Sequence, residues 1–382
     1  MQYRLVGDTG VSVSALGFGT MRYTSPENAR EVIQAGLELG VNYFDIGSAY
    51  HWRSPEENGE TWVGRAIAGV PRERMVLSAK AQPRLGEARV EMGLSIHTRD
   101  QMWQCIENSL RRVGVEYFDF YQLWDMSADD HFAAACEGQD SPLQAMREAR
   151  DQGLVRHLGF TCHGSAEQAI RWLGDIPDFR ICTIYYNFND RASEEIVTYA
   201  REHGVGIVIM GPLRGGILVG ESEVFGRALP ELAGVPVQEV ALRFLLGTDG
   251  VTTVISGMKA ISELEQNARV AAMAEPMTAD QRARFMAAFE EFTHGEGLCT
   301  NCRYCAGACP EGLPVSQHMS TYQLYEIFGM TNMATQIAAM TGNMDPGLCT
   351  GCGKCVEACP QSLPIPRRME RLKEIAASLE RE

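Results

Sequence analysis

Short apolar runs alternate with amphipathic helical patterns from the start of the chain to about residue 275. This alternation is typical of βαβ units around a parallel sheet, and the chain holds eight such units. Eight strands that alternate with eight helices predict an α/β fold, a closed (β/α)8 TIM barrel. The predicted strands are 15–19, 42–46, 75–79, 118–123, 157–160, 181–186, 206–210 and 252–255.

A hairpin of residues 3–6 and 11–13, turning at Asp8-Thr9-Gly10, precedes the first unit and is predicted to close one end of the barrel. Capping residues and glycines mark the helices between the strands. A helix begins at Ser25-Pro26 and ends at Gly40, and another runs from Thr98 or Asp100 to Val113. Further predicted helices are 194–203, 236–246 and 278–293.

The last quarter of the chain carries one cysteine pattern twice, at an offset of fifty positions. The likeness extends to Leu313-Pro314-Val315 and Leu363-Pro364-Ile365. Three thiolates within seven residues can hold three corners of an iron-sulfur cube, and in two-cluster ferredoxins the fourth, next to proline, ligates the other cluster. The repeat therefore predicts two 4Fe-4S clusters that share ligands across the two copies. The predicted metal ligands are Cys299, Cys302, Cys305, Cys309, Cys349, Cys352, Cys355 and Cys359.

Zinc and disulfide bonds are the alternatives for these cysteines. Structural zinc is usually held by two separated pairs of ligands, which would leave one cysteine idle in each copy. Disulfides need an oxidising compartment, and the chain opens without an apolar stretch of signal-peptide length. We therefore expect reduced thiols and a cytoplasmic location.

The glycine-rich joint His294-Gly295-Glu296-Gly297 separates the barrel pattern from the repeat. Residues 317–340, between the two cysteine motifs, are rich in Met and Leu and mostly helical in pattern. This favours an α-helical ferredoxin-like domain over one with a small sheet. The predicted domains are a barrel at 1–293 and a two-cluster domain at 294–382.

Charge and hydropathy exclude some partners. The 382 residues carry a formal net charge of -15. Nucleic acid and anionic membrane surfaces are therefore unlikely to be partners, because clustered Lys and Arg hold phosphates. No run of eighteen apolar residues predicts a membrane span.

Three residues with catalytic potential lie at or just beyond the ends of predicted strands, where the active sites of such barrels lie. These residues are Asp45, Tyr50 and Lys80. A buried lysine beside a tyrosine is expected to lower the phenol pKa toward working pH, and an aspartate would hold that lysine charged. Taken singly, each has an ordinary explanation as a turn former, a packing residue or a surface charge.

The sequence from about residue 3 to 275 resembles the aldo/keto reductase family. The resemblance depends on Leu16-Gly17-Phe18-Gly19-Thr20-Met21, on Asn42-Tyr43-Phe44-Asp45 with Tyr50, and on Lys80. Gly159-Phe160-Thr161, Tyr186-Asn187, Pro212-Leu213 and Gly257-Met258-Lys259 support it. The resemblance implies NADP(H) bound across the barrel mouth without a Rossmann fold, with Tyr50 as general acid, Lys80 as its partner and Asp45 supporting the lysine.

The family pattern also implies a set of cofactor contacts, in which Lys259 would face the 2'-phosphate, Glu263 and Asn267 the adenosine, and Arg214 the pyrophosphate. For Lys259, an ordinary solvated lysine at a helix start is the alternative. The implied contacts are Gly19, Thr20, Met21, Thr161, Met210, Pro212, Leu213, Arg214, Gly216, Ser256, Gly257, Lys259, Glu263 and Asn267.

Three positions depart from the family pattern. Trp124 stands where the family usually has a histidine, and an indole N-H can donate a hydrogen bond but cannot titrate. Thr183 and Met210 replace the usual glutamine and the aromatic residue near the nicotinamide. His163 resembles a residue of the iron-sulfur branch of the family and is a candidate catalytic residue, the alternative being a hydrogen-bonded loop histidine.

The leading functional hypothesis is an NADP(H)-dependent oxidoreductase that acts on a carbonyl, alcohol or sugar, with two 4Fe-4S clusters for electron transfer. Because nicotinamide transfers two electrons as hydride and a cluster accepts one, a flavin is a further candidate cofactor. An external electron carrier and a homo-oligomer are candidate partners. The alternatives are a cofactor-binding electron-transfer or redox-sensing subunit with partly structural clusters, and a hydride-initiated elimination on a sugar.

Overall fold

A computed structural model describes residues 1–84, 86–293 and 295–379. Its centre is a closed barrel of eight parallel strands, in which each strand pairs with the next along the chain and the last pairs with the first. This confirms the predicted (β/α)8 architecture. The barrel strands are β3 (Leu16–Gly19), β4 (Tyr43–Asp45), β5 (Val76–Ala81), β6 (Phe118–Met126), β7 (Val155–Cys162), β8 (Phe179–Tyr185), β9 (Gly206–Met210) and β10 (Val251–Ser256).

A helix or a pair of helices follows every barrel strand in the chain. The helices up to the end of the barrel pattern are α1 (Pro26–Glu38), α2 (Gly59–Ile67), α3 (Arg99–Val113), α4 (Asp129–Cys136), α5 (Pro142–Asp151), α6 (Ala166–Asp175), α7 (Glu194–Glu202), α8 (Glu223–Ala228), α9 (Val237–Leu246), α10 (Ile261–Ala271) and α11 (Ala279–Phe292). After them come α12 (Val315–Tyr322), α13 (Ala334–Ala338), α14 (Lys354–Glu357) and α15 (Ile365–Leu379).

Helix boundaries follow the capping residues in the sequence. The Ser25 side chain accepts a hydrogen bond from the backbone N-H of Asn28 at the start of α1. Pro26 suits the first turn of this helix because a backbone N-H there would have no partner within the helix. Thr98 caps α3 in the same way, and Gly114 ends that helix with a φ of +74°, which glycine adopts without strain.

A hairpin of β1 (Tyr3–Leu5) and β2 (Ser12–Ser14) precedes the barrel, and one side of it contributes to a buried cluster with barrel residues. Val6 and Val13 form one buried cluster with Tyr43, Phe120 and other residues that point inward from the strands. Because the cluster includes residues at or near the amino-terminal ends of several strands, the hairpin closes that end, as the sequence predicts. The opposite, carboxyl-terminal end remains for the site.

The described chain divides into two compact units. The first comprises Met1–Tyr186, Ser193–Pro212 and Thr248–Pro276 and contains all ten strands. The second comprises Asn187–Ala192, Leu213–Gly247 and Met277–Glu382, so it combines the cysteine repeat with two shorter segments from earlier in the chain. His294, the first residue of the predicted second domain, lies outside the described residues, and the boundary at 293/294 stays a prediction.

The second unit has two apolar centres. One is a group of aromatic rings in contact with each other, formed by Phe188, Phe225, Phe244, Phe285, Phe289 and Phe328. The other packs residues of α12, α13 and α15 against the cysteines, with Met319, Ile337, Met369 and Leu372 at its core. Within the described residues, no helix is long and apolar enough to span a membrane.

Candidate active site and cluster cavities

Asp45 and Lys80 form a buried ion pair at the carboxyl ends of two neighbouring barrel strands. Asp45 ends β4 opposite Ser78 of β5, and Lys80 lies two residues beyond Ser78 on the same face of that strand. Lys80 Nζ donates to Asp45 Oδ2 at 2.5 Å, and the two side chains are 3% and 4% exposed. The strand register therefore positions the pair.

Tyr50 lies in the loop after β4, with its ring beside the ion pair. Lys80 Nζ is 5.3 Å from the centroid of the Tyr50 ring. Two glycines permit this placement, since a methyl group built at Gly47 would lie 2.7 Å from Tyr50 Cζ, and one at Gly59 would lie 2.9 Å from Tyr50 Cβ. The structure thus brings together the three residues that the sequence singles out as catalytic candidates.

The electrostatics of Tyr50 differ from the sequence-based expectation. Burial raises the pKa of Tyr50, and the positive charge of Lys80, which acts in the opposite direction, does not overcome it. The expected lowering of this pKa is therefore wrong for the protein alone. Burial alone would lower the pKa of Lys80, but Asp45 and Tyr50 outweigh burial and raise it, so the lysine stays charged.

Trp124, at the position of the missing histidine, packs edge-on against Tyr50. The two ring centroids are 5.6 Å apart with an interplanar angle of 82°, and Lys80 Nζ is 5.9 Å from the Trp124 ring. Such an arrangement directs the positive edge of one ring at the negative face of the other. Trp124 therefore forms a wall of the site and offers no titrating group.

Asp125 is a site residue that the sequence analysis did not single out. Its φ is +65°, and its backbone N-H donates to Thr161 Oγ1 at 2.8 Å. The carboxylate accepts from Gln82 at 2.9 Å and Arg84 at 3.0 Å, and His163 Nδ1 lies 3.2 Å from Oδ1. Burial would raise the pKa of Asp125, but His163, Arg84 and Gln82 outweigh it and lower that pKa.

This network gives His163 a defined partner and orientation. Its backbone N-H donates to Met126 O at 2.9 Å, and its side chain, which is 41% exposed, faces the Asp125 carboxylate. The predicted catalytic role of His163 stays a prediction. The sequence could have pointed to Asp125 through its position directly after Trp124. The left-handed backbone that orients the Asp125 side chain could not be predicted from the sequence.

A polar chain crosses the barrel interior below the ion pair. Thr183 donates to Gln122 Oε1 at 2.9 Å, and Gln122 Nε2 donates to Ser78 Oγ at 2.8 Å. All three side chains are buried. Thr183 on β8 replaces the family's usual glutamine, and in this chain the amide oxygen of Gln122 on β6 accepts a hydrogen bond from that threonine.

The predicted cofactor contacts are distributed over both compact units. Ser256 Oγ accepts from Asn267 Nδ2 at 3.2 Å, and Glu263 Oε2 accepts from the backbone N-H groups of Lys259 and Ala260 at 2.8 and 3.2 Å. Gly19, Thr20, Met21, Thr161, Met210, Pro212 and Gly257 belong to the first unit, and Leu213, Arg214 and Gly216 to the second, where Arg214 donates to Ser320 Oγ.

Arg22 is a further cation that the sequence reasoning did not assign to the site. Its side chain covers Gly257, because a methyl group built on that glycine would lie 2.4 Å from Arg22 Cγ. Lys259 follows two residues later and is exposed, as is Arg22. Neither side chain forms an ion pair with the described residues. Two cations therefore flank Gly257.

The eight predicted metal ligands line two small cavities in the second unit. Cys299, Cys302 and Cys305 share one cavity with Cys359, and Cys349, Cys352 and Cys355 share the other with Cys309. Each cavity thus has three cysteines from one copy of the repeat and the proline-adjacent cysteine of the other copy. This grouping of cysteines matches the one that the spacing predicts, and their role as metal ligands stays a prediction.

The cavity walls suit an iron-sulfur cube. Leu363, Ile365 and Met319 line the first cavity, and Leu313, Val315 and Met369 line the second. Among residues 1–84, 86–293 and 295–379, no three His, Cys, Asp or Glu side chains are grouped so as to hold a single metal ion. Four thiols around an apolar cavity form the donor set that a 4Fe-4S cube takes.

A parallel barrel with a charged pair and a phenol at its strand ends, followed by two four-cysteine cavities, defines an oxidoreductase with an iron-sulfur region. Residues 15–289 match the aldo/keto reductase family, and residues 298–363 match the 4Fe-4S dicluster domain. The chain belongs to the aldo/keto reductase family and carries a C-terminal dicluster domain.

Individual proteins give the same result. An aldo-keto reductase from Bacillus halodurans in its holo form is 27% identical, with a TM-score of 0.63 over 75% of this chain and 96% of that one. The L-galactose dehydrogenase of Arabidopsis thaliana is 23% identical over 74% of this chain and 91% of its own length. An aldo/keto reductase from Klebsiella pneumoniae in complex with NADP and acetate, 20% identical with a TM-score of 0.59 over 75% of this chain and 95% of its own, shares the fold.

Proposed function

We propose that the barrel binds NADP(H) and interconverts a carbonyl and an alcohol, and that the two 4Fe-4S clusters transfer electrons. The observation that carries the proposal is the buried Asp45–Lys80 pair beside Tyr50 at the carboxyl ends of the barrel strands. Desolvation makes a buried ion pair a weak contributor to stability, so its presence favours a functional role. Titrating groups with strongly altered pKa values also cluster at functional sites.

In the reductive direction, Tyr50 would donate its phenolic proton to the carbonyl oxygen. When bound, the nicotinamide supplies a hydride to the carbonyl carbon. The charged Lys80 ammonium stabilises the phenolate that Tyr50 leaves behind, and Asp45 holds the ammonium in place and keeps it protonated. The proton is then restored to Tyr50 from solvent, so the reaction consumes one hydride and one proton.

One feature of the site supports a phosphorylated nicotinamide cofactor, and a second offers an acceptor to any bound hydroxyl. Arg22 and Lys259 flank Gly257 as exposed cations, which suits a phosphate monoester more than a ribose hydroxyl. Asp45 Oδ1 is buried and has no hydrogen-bond partner among the described residues, so it is available to accept from a hydroxyl of a bound molecule. The solved relative from Klebsiella pneumoniae is in complex with NADP.

The cofactor assignment is tested by binding titrations with NADPH and NADH. Arg22→Ala and Lys259→Ala should each weaken NADPH binding by about tenfold, the loss of one charge-assisted hydrogen bond of about 1.5 kcal/mol, and leave NADH binding nearly unchanged. Arg30→Ala, which removes an exposed arginine from α1, is the control. Equal losses for both nucleotides would remove the 2'-phosphate from the proposal.

The reaction is tested with Tyr50→Phe against a panel of aldehydes, ketones and sugars. Loss of a general acid should lower kcat by about 10²- to 10⁴-fold and leave NADPH affinity intact. Tyr43→Phe is the matched control, because it removes a hydroxyl from another buried barrel tyrosine. Retained activity in Tyr50→Phe would remove Tyr50 from the mechanism.

Electron transfer by the clusters needs a two-to-one step, since a hydride carries two electrons and each cluster takes one. A flavin or an external carrier is the proposed mediator. Anaerobic protein should show cluster reduction by dithionite, and reduction by NADPH only when a flavin or the carrier is added. Rapid cluster reduction by NADPH alone, in a sample without flavin, would contradict this requirement.

A redox-sensing or electron-transfer subunit with little turnover is the second candidate function. It is favoured by Trp124 in place of a titrating histidine and by burial, which raises the pKa of Tyr50 and weakens it as an acid. Tight NADPH binding without turnover on the whole panel would favour this candidate over the reductase.

A further inference from the structure

The internal repeat places two different buried ionisable residues at equivalent positions. The repeat offset is fifty, so position 318 corresponds to position 368. His318 of α12 is 0% exposed and Arg368 of α15 is 1% exposed. A guanidinium is positive at every pH at which proteins are folded, whereas an imidazole carries a charge only when both nitrogens are protonated. The two copies therefore differ in permanent charge at one buried position.

His318 uses both ring nitrogens in contacts with the backbone. Nδ1 lies 3.0 Å from Pro314 O, and Nε2 lies 2.8 Å from Met344 O. Met344 lies five residues before Cys349, the first cysteine of the second motif. Both partners are acceptors, so a neutral ring donates to one of these carbonyls and only a doubly protonated ring donates to both.

Arg368 is only partly hydrogen-bonded. One terminal nitrogen donates to Gly297 O at 2.8 Å and to Glu296 O at 3.3 Å, and the same nitrogen is 3.8 Å from Glu296 Oε2. The guanidinium carbon lies 5.2 Å from the centroid of the Tyr322 ring. Nε and the other terminal nitrogen are buried and have no hydrogen-bond partner among the described residues. Unpaired donors on a buried cation are rare and costly.

Two contacts associate this cation with the cavity of Cys299, Cys302, Cys305 and Cys359. Gly297, whose carbonyl accepts from Arg368, is two residues before the ligand Cys299. Leu363, five residues before Arg368, lines that cavity and not the other, whereas Ile365 lines both cavities and Met369 lines the cavity of Cys309. Burial lowers the pKa of Arg368, whereas Tyr322, Glu296, Cys299 and Cys359 act to raise it.

We propose that Arg368 raises the reduction potential of the cluster held by Cys299, Cys302, Cys305 and Cys359, here called cluster I, so that it accepts an electron before the cluster held by Cys309, Cys349, Cys352 and Cys355, cluster II. Reduction adds one negative charge to a cluster and changes no bond. A fixed positive charge in a poorly polarisable interior favours the reduced form, and charge and hydrogen bonding near the sulfurs are main determinants of cluster potential. The proposal rests on the cluster assignment and is independent of the reaction in the barrel.

The test is an anaerobic redox titration of the full-length protein, followed by electron paramagnetic resonance with chemical mediators and no nicotinamide. In Arg368→Met, one of the two midpoints should fall enough to change the oxidised-to-reduced ratio at least tenfold at fixed potential, about 59 mV for one electron. The other midpoint should move so little that the oxidised-to-reduced ratio of its cluster at fixed potential changes by less than a factor of three. The signal that moves should be the one that Cys359→Ser alters.

Two variants separate the buried charge from other effects. Arg368→Lys keeps the charge and should recover most of the shift. Arg371→Met removes an arginine from the same helix, but its side chain is 48% exposed, so solvent screens its charge and both midpoints should stay at their wild-type values. Unchanged midpoints in Arg368→Met with full iron content, or an equal shift in Arg371→Met, would overturn the proposal.

If Arg368→Met does not retain iron, Arg368→Gln gives the same readout, because it removes the charge and keeps N-H donors. A wild-type midpoint for cluster I in Arg368→Gln would likewise overturn the role of the charge. A lowered midpoint in Arg368→Gln and a restored one in Arg368→Lys support it.

Discussion

The buried pair of Asp45 and Lys80 should cost the barrel more when one member is removed than when both are. The side chains are 4% and 3% exposed, their charged atoms are 2.5 Å apart, and Asp45 Oδ1 already has no partner among the described residues. In Lys80→Met, the carboxylate would keep its charge in the interior without compensation. Breaking a buried pair in this way typically lowers the free energy of unfolding by about 3 to 5 kcal/mol.

Replacement of both residues should recover most of that loss. Leucine has the branching of aspartate and methionine has nearly the length of lysine, so Asp45→Leu/Lys80→Met keeps the shape and removes both charges. Apolar replacement of a buried ion pair is often neutral, and we expect the double variant within about 1 to 2 kcal/mol of wild type. The coupling energy of the double-mutant cycle should therefore be several kcal/mol in magnitude.

Tryptophan fluorescence during urea denaturation is a suitable assay for this cycle. All five tryptophans, at 52, 62, 103, 124 and 172, lie in the first compact unit, so the signal reports on the barrel. Arg201→Met is the control, because it breaks the exposed pair of Arg201 and Asp249 and should leave the urea midpoint unchanged. Losses below about 1 kcal/mol for both single variants would refute the view that the pair is desolvated.

Three further outcomes are expected. Because burial raises the pKa of Tyr50, the phenol stays protonated through neutral pH, and kcat/KM for carbonyl reduction should not decline until above pH 10; a decline centred below pH 9 would contradict this. Gly47→Ala should displace the Tyr50 ring, whose Cζ would lie 2.7 Å from the new methyl group, and lower kcat by about tenfold or more with NADPH binding retained; full activity would refute the close packing. Cys359→Ser should reduce iron from about eight to about four atoms per chain and spare cluster II, whereas loss of cluster II would contradict the exchange of ligands between the repeats.

The sequence was sufficient for the barrel because each strand is a short apolar run with a helix after it. Strand 206–210 was predicted to the residue, and the others differ from the structure by one to three residues at an end. The cysteine spacing also predicted which cysteines share a cavity, since Cys359 joins Cys299 only if the copies exchange ligands. Periodic patterns and fixed spacings are local, and they survive without tertiary information.

Burial and loop geometry were not readable in the same way. The pKa of Tyr50 moves in the direction opposite to the prediction because a residue type at a strand end does not reveal how completely its ring is enclosed. Asp125 was missed because its aim depends on a left-handed φ and on Gln82 and Arg84 from another loop. Residues 187–192 and 213–247 look like ordinary connections between barrel elements, and only tertiary contacts assign them to the second unit.

The second unit is assembled from three separate segments of the chain, which limits how this protein can be shortened. Asn189 donates to Ser320, Gln323 donates to Asn189, and Asn301 donates to Asp190, so residues from the middle of the chain depend on the cysteine repeat for their polar partners. Phe188 likewise packs on Phe328. A truncation before the repeat would expose aromatic rings and leave buried amides without hydrogen-bond partners. The resulting fragment would be prone to aggregation. The ferredoxin-like region is therefore not a detachable tail, and expression trials should retain the entire gene product.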